Sequence, residues 1–211
     1  MKHLIIVGIG GFPRELYAAR NHFKGYGKVW DIKGFLDGDK KASPEEYDQL
    51  PLPVLGEIES YTIENDDVFY CAVGAPVARR KITEKLQARG ASFISLIHDT
   101  ALIYENVTLG EAIFVGENVL LTDNIVVGNH VSLLAGATVG HDCTIGDYTS
   151  IMGHVSILGR VSVGAGTYIG TGAILLPDST VGDNAYVGAA SLVLRKVKDN
   201  TKVFGIPAEV M

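Results

Sequence analysis

The sequence predicts two structural parts, a small α/β domain followed by an all-β parallel β-helix, and three observations predict them. From Ile103 to Val193 every sixth residue is Leu, Ile or Val. Glycine follows directly after many of these aliphatic residues. Before the solenoid, short apolar runs alternate with helix-like segments. Because the repeat fits neither the period of a sheet strand nor that of a helix, the second half predicts a solenoid.

The hexapeptide repeat predicts how the solenoid is built. Each hexapeptide forms one short side of a coil, with one aliphatic side chain pointing into a narrow core. If three hexapeptides close a coil, residues 18 apart lie directly above one another. A flat sheet of many strands would instead show alternating polarity and hairpin turns, and neither is present. We expect the glycines after the aliphatic residues to help the chain turn its corners; they are Gly110, Gly116, Gly128, Gly140, Gly146, Gly164, Gly170, Gly182 and Gly188.

The first half predicts alternating strands and helices. We expect strands at 3–8, 29–36, 68–73 and 93–97, and helices at 14–23 and 77–89. Each of the first three strands is a short apolar run that ends at a glycine or an aspartate, which suits a buried parallel sheet. Strand and helix alternate, so this part is expected to be a small parallel α/β layer.

A glycine-rich turn follows the first predicted strand. Gly8, Gly10 and Gly11 lie between that strand and a helix N-terminus, where free N–H groups can bind phosphate. Asp37, at the end of the second strand, lies where an acidic residue of a nucleotide-binding α/β fold hydrogen-bonds a ribose hydroxyl. The dinucleotide fingerprint is not met, because Pro13 takes the place of its last glycine. From these residues alone, a nucleotide-type ligand and a purely structural turn both remain open.

Composition narrows the functional classes. The 211 residues carry a net charge of −6 with both signs interspersed, which argues against a nucleic-acid-binding face. Cys71 and Cys143 form no CxxC motif and are expected to be buried thiols in a reducing compartment. The apolar run at the N-terminus is too short for a secretory signal, and no stretch approaches the length of a membrane span. We therefore expect a cytoplasmic protein.

Several motifs together resemble the PglD/NeuD-type sugar acetyltransferases of the hexapeptide-repeat acyltransferase superfamily. The resemblance spans essentially the whole chain, and its most specific part is the GHDCxIGD stretch that starts at Gly140. It implies a Rossmann-like nucleotide-sugar-binding domain at 1–98 and a left-handed parallel β-helix acyltransferase domain at 99–211. It also implies a homotrimer with active sites between subunits, and a role in polysaccharide biosynthesis. The other motifs are GxGG at 8–11, FLD at 35–37, AVG at 72–74 with Arg79, LIH at 96–98 and VFGIPA at 203–208.

The resemblance also implies site residues. His141 would be the general base, and the carboxylate of Asp142 would raise its basicity. The nucleotide sugar would bind at Gly10, Gly11, Phe12, Asp37, Gly38 and Gly74. Acetyl-CoA, as co-substrate, would lie in a groove between two β-helices, in contact with Ser150, Gly159, Thr171 and Ala189.

Three positions depart from the family pattern and leave the sugar open. Phe12 replaces a residue that is often small and polar or a histidine. Ser150 stands where a second histidine is usual, and Leu134 stands where an asparagine is common. The base is kept while its polar surroundings change, so the reaction class is better defined than the substrate.

The expected chemistry is direct acyl transfer without a covalent enzyme intermediate. A substrate amine or hydroxyl attacks the thioester carbonyl while His141 removes its proton, and a backbone N–H at a solenoid corner stabilises the oxyanion. Cys143 falls in the small core-facing column of the repeat, which favours packing over nucleophilic catalysis.

Other functions remain as alternatives. O-acetylation of sialic acid or of another hydroxyl such as serine needs the same base, and a non-enzymatic binding scaffold is possible for a solenoid. A zinc site is not expected, because His130, His141 and His154 fall on different sides of the coil.

Overall fold

The computed structural model describes residues 1–37 and 44–211. Contacts divide the chain into two units, the first formed by 1–74 and 78–94, the second by 75–77 and 95–211. The first unit is α/β and the second is a left-handed β-solenoid of about six coils. The predicted fold class is therefore confirmed.

The first unit contains a four-stranded parallel sheet in the order β3-β2-β1-β4. The apolar centre of β1 is fully buried, as a strand between two neighbours requires. Its elements are β1 (Lys2–Val7), α1 (Gly11–Ala18), a 3₁₀ turn (Arg20–His22), β2 (Trp30–Asp37), α2 (Pro44–Asp48), β3 (Val54–Glu57), β4 (Asp67–Cys71) and α3 (Pro76–Gln87).

Some predicted boundaries in this unit were wrong. The first helix begins at Gly11 rather than Arg14, and its end tightens into the 3₁₀ turn. The four-residue strand β3 was missed, because its interior Gly56 interrupts an already short apolar run. The strand predicted at 93–97 divides: Phe93 forms a single bridge with Phe69, whereas Leu96–Ile97 is a solenoid strand.

The second unit winds through three parallel sheets, here called the first, second and third faces. The first face contains Val107–Leu109, Ile125–Val127, Thr144–Ile145, Ser162–Val163, Thr180–Val181 and Lys196–Val197. The second contains Leu96–Ile97, Phe114–Val115, Ser132–Leu133, Ser150–Ile151, Tyr168–Ile169, Tyr186–Val187 and Lys202–Phe204, with Glu209–Val210 antiparallel at its end. The third contains Leu102–Ile103, Leu120–Leu121, Thr138–Val139, Ser156–Ile157, Ile174–Leu175 and Leu192–Val193.

The stacking follows the predicted register. Thr138 pairs with Ser156, and Ser132 pairs with Ser150, so residues 18 apart lie above one another. Fourteen of the sixteen repeat aliphatics, from Val115 to Val193, are buried. Ile103 and Leu109, at the start of the solenoid, are partly buried and pack against the same core. Period six therefore encodes the core as predicted.

The repeat glycines have a different role from the predicted one. All nine lie in the described part of the chain, and none has a positive φ. The positive φ values occur two residues later, at corner residues such as Asn118, His130 and Asp142. A Cβ at Gly146 would lie only 2.5 Å from the backbone N of Ala165 in the next coil. These glycines are therefore needed for close stacking of coils and not for turning.

Candidate active site

His141 and Asp142 lie at the corner between the third and first faces. The strand before them ends at Val139 and the next one begins at Thr144. Asp142 makes the turn with a φ of 59°, a conformation that Asp tolerates better than most residues. Both side chains point outward, 54% and 45% exposed, while Val139 and Cys143 on either side are buried. The corner thus presents the pair to solvent, as the repeat predicted for His141.

The hydrogen bond between His141 and Asp142 fixes the tautomer of the neutral imidazole. His141 Nδ1 lies 2.7 Å from Asp142 Oδ2. The pKa of Asp142 is lowered, first by a hydrogen bond from Asn124 and then by the one from His141, so this carboxylate is ionised at neutral pH. An ionised carboxylate only accepts, so Nδ1 carries a proton. In the neutral ring Nε2 is then an unprotonated acceptor.

Gly159 lies directly above His141 in the next coil. A Cβ at this position would be 2.6 Å from Nε2 and 2.7 Å from Cε1 of the ring. The absence of a side chain therefore leaves room for the imidazole. Within the part of the chain that the structure describes, the backbone N–H of Gly159 makes no hydrogen bond, so a donor lies one coil from the imidazole.

Cys143 is packed inside the coil beside this pair. Its side chain is fully buried, and its thiol donates to the carbonyl oxygen of Leu158 at 3.0 Å. Burial raises the pKa of this thiol, which disfavours the nucleophilic thiolate. The structure supports the interpretation of Cys143 as a packing residue.

The remaining residues predicted to contact acetyl-CoA lie elsewhere on the coil. Ser150 begins a strand of the second face and is buried. Thr171 and Ala189 stack on each other at the corner between the second and third faces, and both are exposed. One chain therefore brings Gly159 to His141 but keeps these three residues apart from it, and their role stays a prediction.

The other two solenoid histidines lie at different corners. His130 turns between the first and second faces, where it is buried and stacks on Tyr148 with ring centroids 4.8 Å apart. His154 turns between the second and third faces, beside Gly136. The three histidines of the rejected zinc site thus occupy three separate corners of this chain.

Three of the predicted nucleotide-sugar residues are glycines at the carboxyl edge of the first unit's sheet. Gly10 and Gly11 lie between β1 and α1, and Gly74 lies between β4 and α3. Because β1 and β4 are neighbours, these turns flank the point where the strand order reverses, which is where open α/β sheets bind ligands. A Cβ at any of the three would meet nothing within 4 Å, so the space beside them is open. Phe12 lies in the first turn of α1 and is half-buried.

Asp37 is also at this edge, as the last residue of β2. Its carboxylate accepts a hydrogen bond from the hydroxyl of Tyr47, which the sequence analysis did not anticipate. Gly38 lies outside the described residues.

Arg79 shapes the turn that contains Gly74. Its side chain is 2% exposed, and Nη1 donates to the carbonyl oxygens of Val73 at 2.9 Å and Gly74 at 3.3 Å. A buried guanidinium that bonds two successive carbonyls fixes the local backbone. In the sequence, Arg79 was noted only through the family resemblance.

Asn124 is the site residue that sequence reasoning missed. It lies one coil before Asp142, and its amide Nδ2 donates to Asp142 Oδ1 at 2.6 Å. The 18-residue stacking rule, applied to Asp142, would have pointed to this position.

The comparisons with known proteins agree with this architecture. Residues 3–86 match the family described as the PglD N-terminal domain. The search of curated proteins gave no match. Within the described part of the chain, no helix combines the length and the apolar character that a membrane span requires.

Solved structures similar to this chain include two acetyltransferases. The acetyltransferase domain of PglB from Neisseria gonorrhoeae FA1090 is 28% identical with a TM-score of 0.85, and the match covers 100% of both chains. A mutant of perosamine N-acetyltransferase from Caulobacter crescentus, in complex with CoA and GDP-perosamine, is 25% identical with a TM-score of 0.87, covering 100% of this chain and 97% of that one. WeeI from Acinetobacter baumannii AYE, at 24% identity and a TM-score of 0.85 over the whole of both chains, shares the fold.

Proposed function

We propose that the chain is a PglD-type sugar acetyltransferase of the hexapeptide-repeat superfamily, and that it transfers an acetyl group from acetyl-CoA to the amino group of a nucleotide-linked sugar. The substrate class is supported by the similar perosamine N-acetyltransferase, whose structure contains CoA and GDP-perosamine. The observation that carries the mechanism is the His141–Asp142 hydrogen bond, which leaves Nε2 as an outward-facing acceptor.

His141 is the general base of the proposed reaction. The substrate nitrogen attacks the thioester carbonyl, and its proton passes to Nε2 as the C–N bond forms. The C–S bond then breaks, and the proton on Nε2 is available to the departing sulfur. Asp142 accepts from Nδ1 throughout, which stabilises the imidazolium formed on the way.

Gly159 has two roles in this proposal. Because Gly159 has no side chain, there is room beside Nε2 for the imidazole and for the thioester. Its backbone N–H is a donor for the oxyanion that develops on the thioester oxygen. Both roles arise because Gly159 stacks one coil above His141.

The nucleotide part of the acceptor is proposed to bind the carboxyl edge of the first unit's sheet. Gly10 and Gly11 offer backbone N–H groups at the start of α1 to the phosphates, and Gly74 offers open space beside them. Phe12, Asp37 and Gly38 belong to the same proposed site. The proposed domain division is 1–98 for nucleotide-sugar binding and 99–211 for acyl transfer.

The proposed assembly is a homotrimer with active sites between neighbouring subunits, where Ser150, Thr171 and Ala189 would complete the coenzyme groove. Support comes from apolar side chains that stay 38–60% exposed on and beside the third face: Leu102, Leu158, Ile174 and Leu194. Light scattering in solution should give three times the mass of the chain, and a stable monomer would contradict the trimer. A cytoplasmic location is part of the proposal and fits two free, buried cysteines.

The experiment is a screen of nucleotide-linked amino sugars and sialic acids with acetyl-CoA, in which release of the free thiol is followed. A nucleotide-amino-sugar is expected to be the best acceptor. Faster turnover of a hydroxyl acceptor such as sialic acid would replace N-acetylation by O-acetylation, and no turnover of any of them would contradict the substrate class.

The base is tested with the acceptor that this screen identifies. His141→Ala should lower kcat by ~10²–10⁴-fold, the usual contribution of a general base. His154→Ala is the matched control, because His154 is another exposed corner histidine beside a glycine. Near-normal turnover in His141→Ala, or an equal loss in His154→Ala, would remove His141 from the mechanism.

A further inference from the structure

Asn124 and Asp142 occupy the same corner of the solenoid in two adjacent coils. Both have left-handed backbone conformations, with φ of 51° and 59°, and one full coil separates them. This stacking brings the amide Nδ2 of Asn124 to 2.6 Å from Asp142 Oδ1. The bond joins two exposed side chains across adjacent coils, so it is fixed by the solenoid register and not by burial.

With this bond, each of the two carboxylate oxygens of Asp142 accepts one hydrogen bond. Oδ1 accepts from Asn124, and Oδ2 accepts from His141 at 2.7 Å. An exposed carboxylate without the first bond can rotate about its terminal torsion and lose its alignment with the imidazole. Among the groups that lower the pKa of Asp142, Asn124 comes first, ahead of His141.

The residue on the other side of Asp142 in this corner cannot replace Asn124. Arg160 lies one coil further on and makes a two-fold ion pair with Asp178, at 2.7 and 2.9 Å. Its guanidinium contributes to the low pKa of Asp142 only as the last and smallest of the causes. Asn124 is therefore the neighbour that orients the carboxylate.

We propose that Asn124 is a positioning residue, which locks the Asp142 carboxylate so that the proton of His141 stays on Nδ1 and Nε2 stays free to accept. This inference rests on the proposed function, in which Nε2 is the base. Asn124 touches no reacting atom, and its whole effect passes through Asp142. Outer-shell partners that orient metal-ligating side chains contribute ~10–100-fold to activity, and we expect an effect of the same order here.

The first experiment compares two substitutions. Asn124→Asp keeps the shape and the left-handed tolerance of the residue but replaces the donor by an acceptor; Asn124→Ala removes the group. Both should lower kcat ~10-fold or more and leave the KM for acetyl-CoA unchanged. Asn118→Ala, at a left-handed corner on another side of the coil with φ of 53°, controls for the loss of a corner asparagine.

The second experiment is a double-mutant cycle. If Asn124 acts only through Asp142, adding Asn124→Ala to Asp142→Ala should cause no further loss of kcat. An equal further loss in that background, or an equal loss in the Asn118→Ala control, would overturn the proposal. If Asp142→Ala and His141→Ala themselves keep full activity, the proposed mechanism fails and the next measurement still decides the role of Asn124.

That measurement follows the His141 ring nitrogens by long-range ¹H–¹⁵N NMR without any substrate. In the neutral form of the ring, the wild type should show a protonated Nδ1 and an unprotonated Nε2, and Asn124→Asp should show a mixture of the two tautomers. An unchanged tautomer in Asn124→Asp would overturn the proposal.

Discussion

Replacing Gly159 by alanine should damage catalysis through the position of one ring. The new Cβ would lie 2.6 Å from His141 Nε2, whereas ordinary van der Waals contact begins at 3.4 Å. The imidazole must therefore move by about 0.8 Å, because the backbone of residue 159 fixes the position of the new Cβ. A displacement of ~1 Å from the reactive geometry costs on the order of 10²-fold in rate, which corresponds to about 2.7 kcal/mol of transition-state stabilisation.

The assay is steady-state release of the CoA thiol, with melting temperature measured in parallel. Gly159→Ala should lower kcat on the order of 10²-fold while the melting temperature changes little, because the displaced side chain is exposed. The NMR spectrum of the His141 ring should change as well, since its surroundings change directly.

Gly136→Ala is the matched control for this substitution. A Cβ there would lie 2.6 Å from Nδ1 of His154, another exposed histidine. Although Gly136 has a positive φ, Ala112 and Ala190 occupy the same left-handed corner position with φ of 55° and 54°, so this fold accepts alanine there. Full activity of Gly159→Ala, or an equal loss in Gly136→Ala, would refute the reasoning.

Three further outcomes are expected. Lys33→Met should lower the free energy of unfolding by ~3–5 kcal/mol in urea melts, because Asp67, with a fully buried side chain, loses a cation at 2.9 Å. The pKa of Asp67 is lowered in the fold, so its stabilising contribution is complete above pH ~4 and is lost as the pH falls through the folded pKa; the stability difference between Lys33→Met and wild type should shrink there. Cys143→Ala should keep nearly wild-type kcat in the thiol-release assay, and loss of turnover with an intact fold would indicate a nucleophile. Gly146→Ala should lower stability by ~1–3 kcal/mol in the same melts, because its Cβ would lie 2.5 Å from the backbone of Ala165.

The solenoid could be predicted from sequence because one physical requirement recurs at every sixth position. A narrow core admits one aliphatic residue per side, so Val115 and Val193 obey the same rule although four coils separate them. The same spacing predicted that His141 projects outward from a corner, and that His130, His141 and His154 lie on different sides of the coil. The 18-residue spacing also places Asn124 one coil before Asp142, but a sequence does not show which stacked pairs form hydrogen bonds.

The role of the repeat glycines could not be read from the sequence, because glycine serves both for turning and for close approach. Only coordinates show that Gly146 faces the backbone of the next coil while Asp142 makes the turn.

In the first unit, β3 was missed because four residues interrupted by Gly56 give no clear pattern. The bond from Tyr47 to Asp37 depends on tertiary contact, which periodicity does not encode.

The most direct test of the account is a crystal structure of the chain with CoA bound. We predict that the CoA sulfur lies at the third–first corner, within hydrogen-bond reach of His141 Nε2 at ~3 Å and beside the backbone N–H of Gly159. A coenzyme whose sulfur lies at another corner of the solenoid, away from His141, would contradict the account.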